Sequence, residues 1–567
     1  MRNIILIISI LNSFICLAQQ PVWNGTPRAP LDIPLLVSGN FMELRSDHFH
    51  SGVDLKTNGV EGLPVRVVAD GRVSRVKMSP WGYGIAVYVD HAGGLTTVYG
   101  HLRSLAPALA QQVLEAQYKA QDYSVDLTPP AVDLQVAAGD QIGLSGNTGG
   151  SSAPHLHYEV RRTADQHALD PEAFGLELTD TRAPVVHGLR IYALDSTARY
   201  SPYPGKAKGF AAEVGPGGYR LRPGAEPAAI GPIGLAVHAV DHYDGSSNVC
   251  GVRSITLDVD GQRHFSAHLD EVDFALQRYV NAHMDHALFR ADDMHYHRCY
   301  RQPNDRSILY EGQGVFVPTP GRVHHCVITV TDANGNRSEL RFDLRGATAE
   351  EARTWPGRPA GVNMFHWDRE NVLVQPGLRF TLPANALYDD EPIVYSRADT
   401  PVKSLSPLHQ VLSELVPLHV QAEVSVQADV PPALEAKAVV VRHDRKGRVA
   451  SLGGRWNGGW VSARTKSFGG FHVQVDTVPP TLQPLDLRAD MRGRDGFRFK
   501  VQDDLSGVDK WNATLDGRWI LLVYDPKAKT LTHHFDRYSE GTGTRTLVVE
   551  VTDERGNRRR STHQFQR

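Results

Sequence analysis

The sequence is poor in the features that mark several protein classes. It has four cysteines in 567 residues, at positions 16, 250, 299 and 326. These are too few and too scattered for a structural zinc site, which usually closes with four ligands, often cysteines. Charge of either sign is not in surplus: 60 Lys and Arg stand against 63 Asp and Glu, a net charge of −3. That balance gives no electrostatic footprint for nucleic acid, so nucleic-acid binding is excluded. Apolar runs are short. Ile4 to Leu17 falls below the roughly 20 residues a spanning helix needs, and no transmembrane segment follows it. What remains is ordinary globular composition, 41% hydrophobic and 22% charged, in a chain long enough for several domains.

The first residues read as a secretory signal. Met1-Arg2-Asn3 is a basic start, Ile4 to Leu17 an apolar core, and Cys16-Leu17-Ala18 before Gln19 supplies the small residues for cleavage after Ala18. Acylation at Cys16 fits less well, because Phe14 and Ile15 are bulkier than a lipobox allows. The expected location is periplasmic or secreted, where disulfides are permitted. Without Cys16, the residues Cys250, Cys299 and Cys326 allow one bridge with one thiol left over, in any of three pairings.

Chemistry concentrates in His155-Leu156-His157-Tyr158-Glu159. On a strand, residues i and i+2 share a face, so His155 and His157 look into one space while Leu156 turns to the core. The glycine-rich run Gly143 to Gly150 before it lets the backbone bend tightly. A lone His-x-His is more often a structural pair than a metal site. Far upstream, His50-Ser51-Gly52-Val53-Asp54 offers an imidazole and a carboxylate in an apolar, strand-like setting. Adding a histidine from the His-x-His strand gives a His₂Asp set, and three protein ligands with an open fourth position is the pattern of a catalytic zinc site.

Between them lies Val98-Tyr99-Gly100-His101-Leu102. The ordered series His50-x-x-x-Asp54, Tyr-Gly-His101-Leu, Ser-Gly-Asn-Thr-Gly and His155-Leu-His157 resembles the lysostaphin/LytM-type zinc metallopeptidases, peptidase family M23. The resemblance spans about residues 30 to 175. It implies His50, Asp54 and His157 as zinc ligands and His101 and His155 as a catalytic pair. None of the five positions is substituted, which speaks against a non-catalytic member. It also suggests Arg45, at the place of an arginine in a Phe-Gly-x-Arg-like run, as a substrate-facing cation; the plainer reading pairs Arg45 with Glu43 or Asp47. The departure from the family is a long insertion, 103–138. Its stretch Pro107 to Ala120 has helical spacing, and it is either a surface elaboration or a wall of the groove.

Around these motifs the peptidase region alternates as short strands: Pro64 to Val73, Gly84 to His91, Leu95 to Tyr99 and Val136 to Gly143. His91 falls beside the turn Ala92-Gly93-Gly94 and is expected to face solvent. After Asp170 one module recurs. Asp180-Thr181-Arg182-Ala183-Pro184 returns as Asp476-Thr477-Val478-Pro479-Pro480, and Val330-Thr331-Asp332…Gly335-Asn336 as Val551-Thr552-Asp553…Gly556-Asn557. Short strands with Asp-Gly and Gly-Asn turns suggest immunoglobulin-like sandwiches. Asp332, Asp503 and Asp553 hint at calcium, but their turn motifs favour Asp supporting its own backbone. The histidines at 283, 286, 295, 297, 324 and 325 follow no known ligand spacing and are read as structural.

The expected fold is mainly β: an N-terminal antiparallel LytM-like peptidase domain followed by several Ig-like β-sandwich modules. The divisions are a signal at 1–18, the peptidase domain at 19–176, an Ig-like module at 177–350, a β-rich module at 351–475 and an Ig-like module at 476–567. By the resemblance, the protein is a secreted zinc endopeptidase whose substrates are peptidoglycan peptides and whose cofactor is Zn2+. The β-modules are expected to position the enzyme and to bind the cell envelope or protein partners. The rivals are a non-catalytic cell-wall-binding or hydrolase-activating protein on the same fold, and an adhesin-like scaffold in which the peptidase is auxiliary.

Overall fold

The computed structural model of the chain describes residues 21–359 and 363–567. The leader read at residues 1–18 lies outside the described residues. The protein is mainly β, built of largely antiparallel sheets with a peptidase-like region at the N-terminal side and β-modules after it. Among the described residues no helix is long and apolar enough to cross a membrane.

The central sheet of the N-terminal region runs in the order Val37–Gly39, Val53–Lys56, His155–Arg162, Leu95–Gly100, Ile85–His91, Gly71–Met78, Val125–Leu127. The His155–Arg162 strand is therefore central, paired on one side with the strand carrying Asp54 and on the other with the strand leading to His101. Its alternation is strict. Leu156, Tyr158 and Val160 enter the core, while His155, His157, Glu159 and Arg161 share the opposite face. Gly52 makes the close pairing possible, because a Cβ there would meet the Tyr158 carbonyl at 2.4 Å. His91 is buried, not solvent-facing. Its ring bonds Asp70 O at 3.0 Å and Thr97 Oγ1 at 2.8 Å, because it still belongs to the Ile85–His91 strand and not to the turn.

The modules are distinct in build. Residues 371–475 carry two five-stranded sheets around one core, and residues 481–566 two four-stranded sheets around another. The larger module between them and the peptidase-like region wraps one continuous twelve-stranded sheet around its core. The bridge that the sequence allows among Cys250, Cys299 and Cys326 does not form: all three are buried free thiols. Cys250 packs in the core of the peptidase-like region, whereas Cys299 and Cys326 sit in the next core, on segments that are not sheet neighbours.

The chain closes on itself. Ala168–Leu169 of the peptidase-like region pairs with Glu271–Val272 of the following module, whose Tyr243, Leu269, Val280 and Met284 join the first core. Arg278 Nε donates to Leu418 O at 2.9 Å, and Lys437 Nζ donates to Arg555 O at 2.6 Å, which links each module to the next. The last module returns to the 103–138 insertion. The helix Pro107–Ala120 presents Tyr118, which stacks on Tyr538 at 3.9 Å, meets Trp519 edge-on at 5.0 Å and donates to Asp536 Oδ2 at 2.7 Å. The insertion is thus a clasp for the C-terminal module.

Tyr118→Ala removes the aromatic stack and the partly buried hydroxyl bond together. A loss of about 1–3 kcal/mol is expected from the aromatic pair and the hydrogen bond. Limited proteolysis should then cleave between residues 476 and 567 faster than in the parent chain, with the 21–178 region still protected. Equal protection of both regions would mean that the clasp does not hold the module.

Candidate metal centre

The site is assembled by three elements. His50 and Asp54 come from the segment entering the Val53–Lys56 strand, His155 and His157 from the central strand, and His101 from the residue after the Leu95–Gly100 strand. His101 has φ 56°, uncommon away from glycine, and this left-handed turn sets its ring edge-on to His155 with centroids 4.8 Å apart. All five residues named from the sequence are brought together.

Hydrogen bonding fixes which ring nitrogen faces inward. A carbonyl or carboxylate oxygen only accepts, so a ring nitrogen bonded to one carries the proton. His50 Nδ1 donates to Asn40 O at 2.7 Å, and His157 Nε2 donates to Glu159 Oε1 at 2.8 Å. His50 Nε2 and His157 Nδ1 are therefore the ring nitrogens turned into the site, where both meet Asp54 Oδ1, and in the metal-free chain a proton on His157 bridges to that carboxylate. The three atoms are separated by 3.2 Å (His50 to His157), 3.1 Å (His50 to Asp54) and 2.9 Å (His157 to Asp54). A tetrahedral ion with ligands at about 2.0–2.1 Å would space them about 3.3 Å apart. Three converging ligand atoms, with the outer ring nitrogens already committed as donors, fit a divalent cation that would displace the proton His157 shares with Asp54.

Electrostatics points the same way. Burial alone would lower His157, but the Asp54 and Glu159 carboxylates overrule it and lift the ring to about 9. Burial would raise Asp54, yet His50, His155 and His157 hold it well below the usual carboxylate range. Burial lowers His50. The two carboxylates thus favour positive charge at His157, which its own ring proton supplies in the metal-free chain.

Glu159 is the residue that sequence reasoning left unassigned. It is fully buried, and besides His157 it accepts from Ser51 Oγ at 2.7 Å, Tyr83 OH at 2.6 Å and Arg161 Nε at 2.5 Å. Burial would raise its carboxyl, but Arg161 and His157 keep it ionised far below its ordinary value. The period of two that places His155 beside His157 also places Glu159 and Arg161 on that face, so the signal was present. Tyr83, stacked on His157 at 5.1 Å, had none. Arg45 pairs with Glu43, as the plainer reading expects, and it also lines the cleft. Its Nη2 donates to Asp54 Oδ2 at 3.1 Å and its Nε faces Glu43 at 3.4 Å, while Asp47 pairs with His48. It steadies Asp54 from the cleft side.

Residues 48–121 and 123–171 match Peptidase family M23. This part of the chain is a peptidase family M23 domain. Residues 362–476 match the Zu5-like domain. The DD-carboxypeptidase/endopeptidase Mpg of Neisseria meningitidis serogroup B is 34% identical over 118 residues, 21% of this chain and 21% of that protein. The murein hydrolase activator EnvC of Escherichia coli is 33% identical over 114 residues, 20% of each. The chain thus spans about a fifth of the length of these curated relatives. The catalytic domain of lysostaphin from Staphylococcus simulans is 24% identical, with 24% of this chain and 90% of that one covered and a TM-score of 0.19.

The M23 domain does not form its cleft alone. A cavity of about 1510 Å³ opens over the five residues, and its walls include Phe274 and Arg278 of the next module and His419 and Lys466 of the Zu5-like region. Arg161 lies 4.4 Å over the Phe274 ring, tying that wall to the layer behind the site. From the C-terminal module, Lys527 Nζ donates to Asn147 O and to Ser151 O at 3.0 Å, and so holds the turn that precedes His155. The same turn orients His101, whose Nδ1 donates to Thr148 O at 2.8 Å.

Glu159→Gln keeps the shape of the side chain and loses its charge. Weakening of zinc affinity by about 10–100-fold is expected, the usual effect of losing an outer partner of a ligating histidine. The metal-free variant should also melt lower, since breaking a buried ion pair costs about 3–5 kcal/mol and Arg161 would lose its partner. Competition with a chromophoric chelator reads the first effect and scanning calorimetry the second. Unchanged zinc affinity would show that Glu159 does not orient His157.

Proposed function

We propose that the protein is a zinc metalloendopeptidase that hydrolyses peptide cross-links of peptidoglycan in the cell envelope. One observation carries the reading: the converging ligand atoms of His50, Asp54 and His157 stand beside two further histidines, His101 and His155. The substrate class draws on relatives whose names describe peptidase action and murein hydrolase activation.

When bound, a zinc ion supplies Lewis-acid polarisation of a carbonyl and brings the pKa of water toward neutrality. His50, Asp54 and His157 would hold it. His101 and His155 are the groups placed to move protons. Each donates Nδ1–H to a backbone carbonyl, Thr148 O at 2.8 Å and Ala153 O at 2.8 Å, which leaves Nε2 of His101 on the cleft and that of His155 3.3 Å from Asp54 Oδ1. Burial, with His157 and His155 nearby, pushes His101 down to about 3, so its ring is neutral at working pH. The pair can take the proton of an attacking water, return one to the leaving amine and hydrogen-bond the oxyanion between these steps. Arg45 keeps Asp54 Oδ2 occupied, so Oδ1 faces His50 and His157.

His157→Ala should lose most of its zinc by metal analysis. His101→Ala and His155→Ala should keep one zinc per chain and lose on the order of 10²-fold or more in muropeptide release from purified sacculi, read by mass spectrometry. Near-normal release in either variant removes that residue from the mechanism. A zinc-loaded parent chain that releases nothing would replace the peptidase reading with that of a cell-wall-binding or activating protein.

A further inference from the structure

The repeated aspartates of the modules take no part in the M23 centre, yet in the first module they meet. Asp180 ends the linker from the M23 domain, Asp241 follows the Ile233–Val240 strand, and Asp332 follows the Val323–Thr331 strand. All three are buried, and one carboxylate oxygen from each lies within 4.8 Å of the others. Turn chemistry accounts for part of this. Asp180 Oδ1 accepts from Arg182 N at 2.9 Å, and Asp332 accepts from Asn336 N and Asn336 Nδ2, both at 2.9 Å.

Turn chemistry does not account for Asp241. The residue is 0% exposed, and its backbone pairs with Cys250 in both directions at 2.9 Å. Neither of its carboxylate oxygens has a hydrogen-bond partner, and Asp180 Oδ2 has none either. The adjacent His242 N–H lies near enough to Asp241 to stabilise its charge in part, but outside hydrogen-bond geometry. Burial, with Asp180 and Asp332 beside it, pushes Asp241 up to about 7. A buried carboxylate left without donors among other carboxylates is costly unless something positive pairs with it.

The C-terminal module provides an internal comparison. Asp476, Asp503 and Asp553 gather in the same way. There, however, the backbone supplies donors. Asp476 Oδ2 accepts from Ser506 N at 3.0 Å, and Asp503 Oδ2 from Leu505 N at 3.0 Å and Gly507 N at 2.8 Å. The first module has the acidic triad without those donors at its centre.

We propose that Asp180, Asp241 and Asp332 form a calcium site where the first module joins the M23 domain. The donors are hard oxygens from three separate segments. Calcium takes such ligands at about 2.3–2.6 Å, so two oxygens on one ion stand no more than about 5 Å apart. The ion would brace the junction. Asp241 pairs with Cys250, and the next residue, Gly251, exchanges bonds with the Asn40 side chain at 2.8 and 2.7 Å. Asn40 O in turn accepts from His50 Nδ1.

The test uses the full chain, stripped of cations, restored to one equivalent of zinc and titrated with calcium chloride. Calorimetry should show saturable uptake, and the melting temperature should rise by roughly 5–10 °C at a hundredfold excess over Kd. Asp241→Asn should lose that rise and one equivalent of uptake. Without calcium it should melt no lower than the parent, because the amide removes a repelling charge. Asp332→Asn keeps Oδ1 as the turn acceptor and should give the same loss, so it serves if the first variant fails to fold. No uptake by the parent chain at millimolar calcium, or uptake and a melting shift retained in the variants, would overturn the proposal.

Discussion

Three ligand atoms about 3 Å apart, each fixed by an outer partner, are the constraint on which the peptidase region depends. His50 Nε2, His157 Nδ1 and Asp54 Oδ1 converge on one point, where a proton on His157 or a metal cation supplies the positive charge that the buried carboxylate needs. Each is denied an escape. Asn40 O holds the far nitrogen of His50, Glu159 holds that of His157, and Arg45 holds the second oxygen of Asp54. The central sheet order follows from the same need, since it sets the Asp54 strand and the His101 strand on either side of the His-x-His strand.

The outer partners bind the site to the rest of the molecule. Glu159 draws in Arg161, and Arg161 underlies Phe274 of the following module. Asn40 is held by Gly251 of that module. Lys527 of the last module reaches the turn between the two histidine motifs. A cleft that would be open in an isolated M23 domain is walled by segments far away in sequence. The modules therefore shape access to the chemistry, and the insertion at 103–138 is what lets the last of them return.

Much of this was written in the sequence. Period-two alternation gave the strand at His155 and the face its histidines share, because a pleated strand leaves no other choice. The spacing and order of His50, Asp54, His101, His155 and His157 identified the M23 domain, and the short alternating strands after it announced a mainly β chain, although the modules that share the Asp-Thr and Val-Thr-Asp segments differ in build. The helix at Pro107–Ala120 followed from its composition.

Only the tertiary structure decided the rest, and for one reason: these features are contacts between residues far apart in the chain. Tyr118 bonds a residue 418 positions away, and Lys527 one 380 positions away. Local periodicity carries no record of such pairs. The same holds for the thiols, which an oxidising compartment would allow to pair but which the folds of two cores keep apart. It holds for Asp241, unremarkable at the end of a strand until burial strips its carboxylate of water and sets it between Asp180 and Asp332.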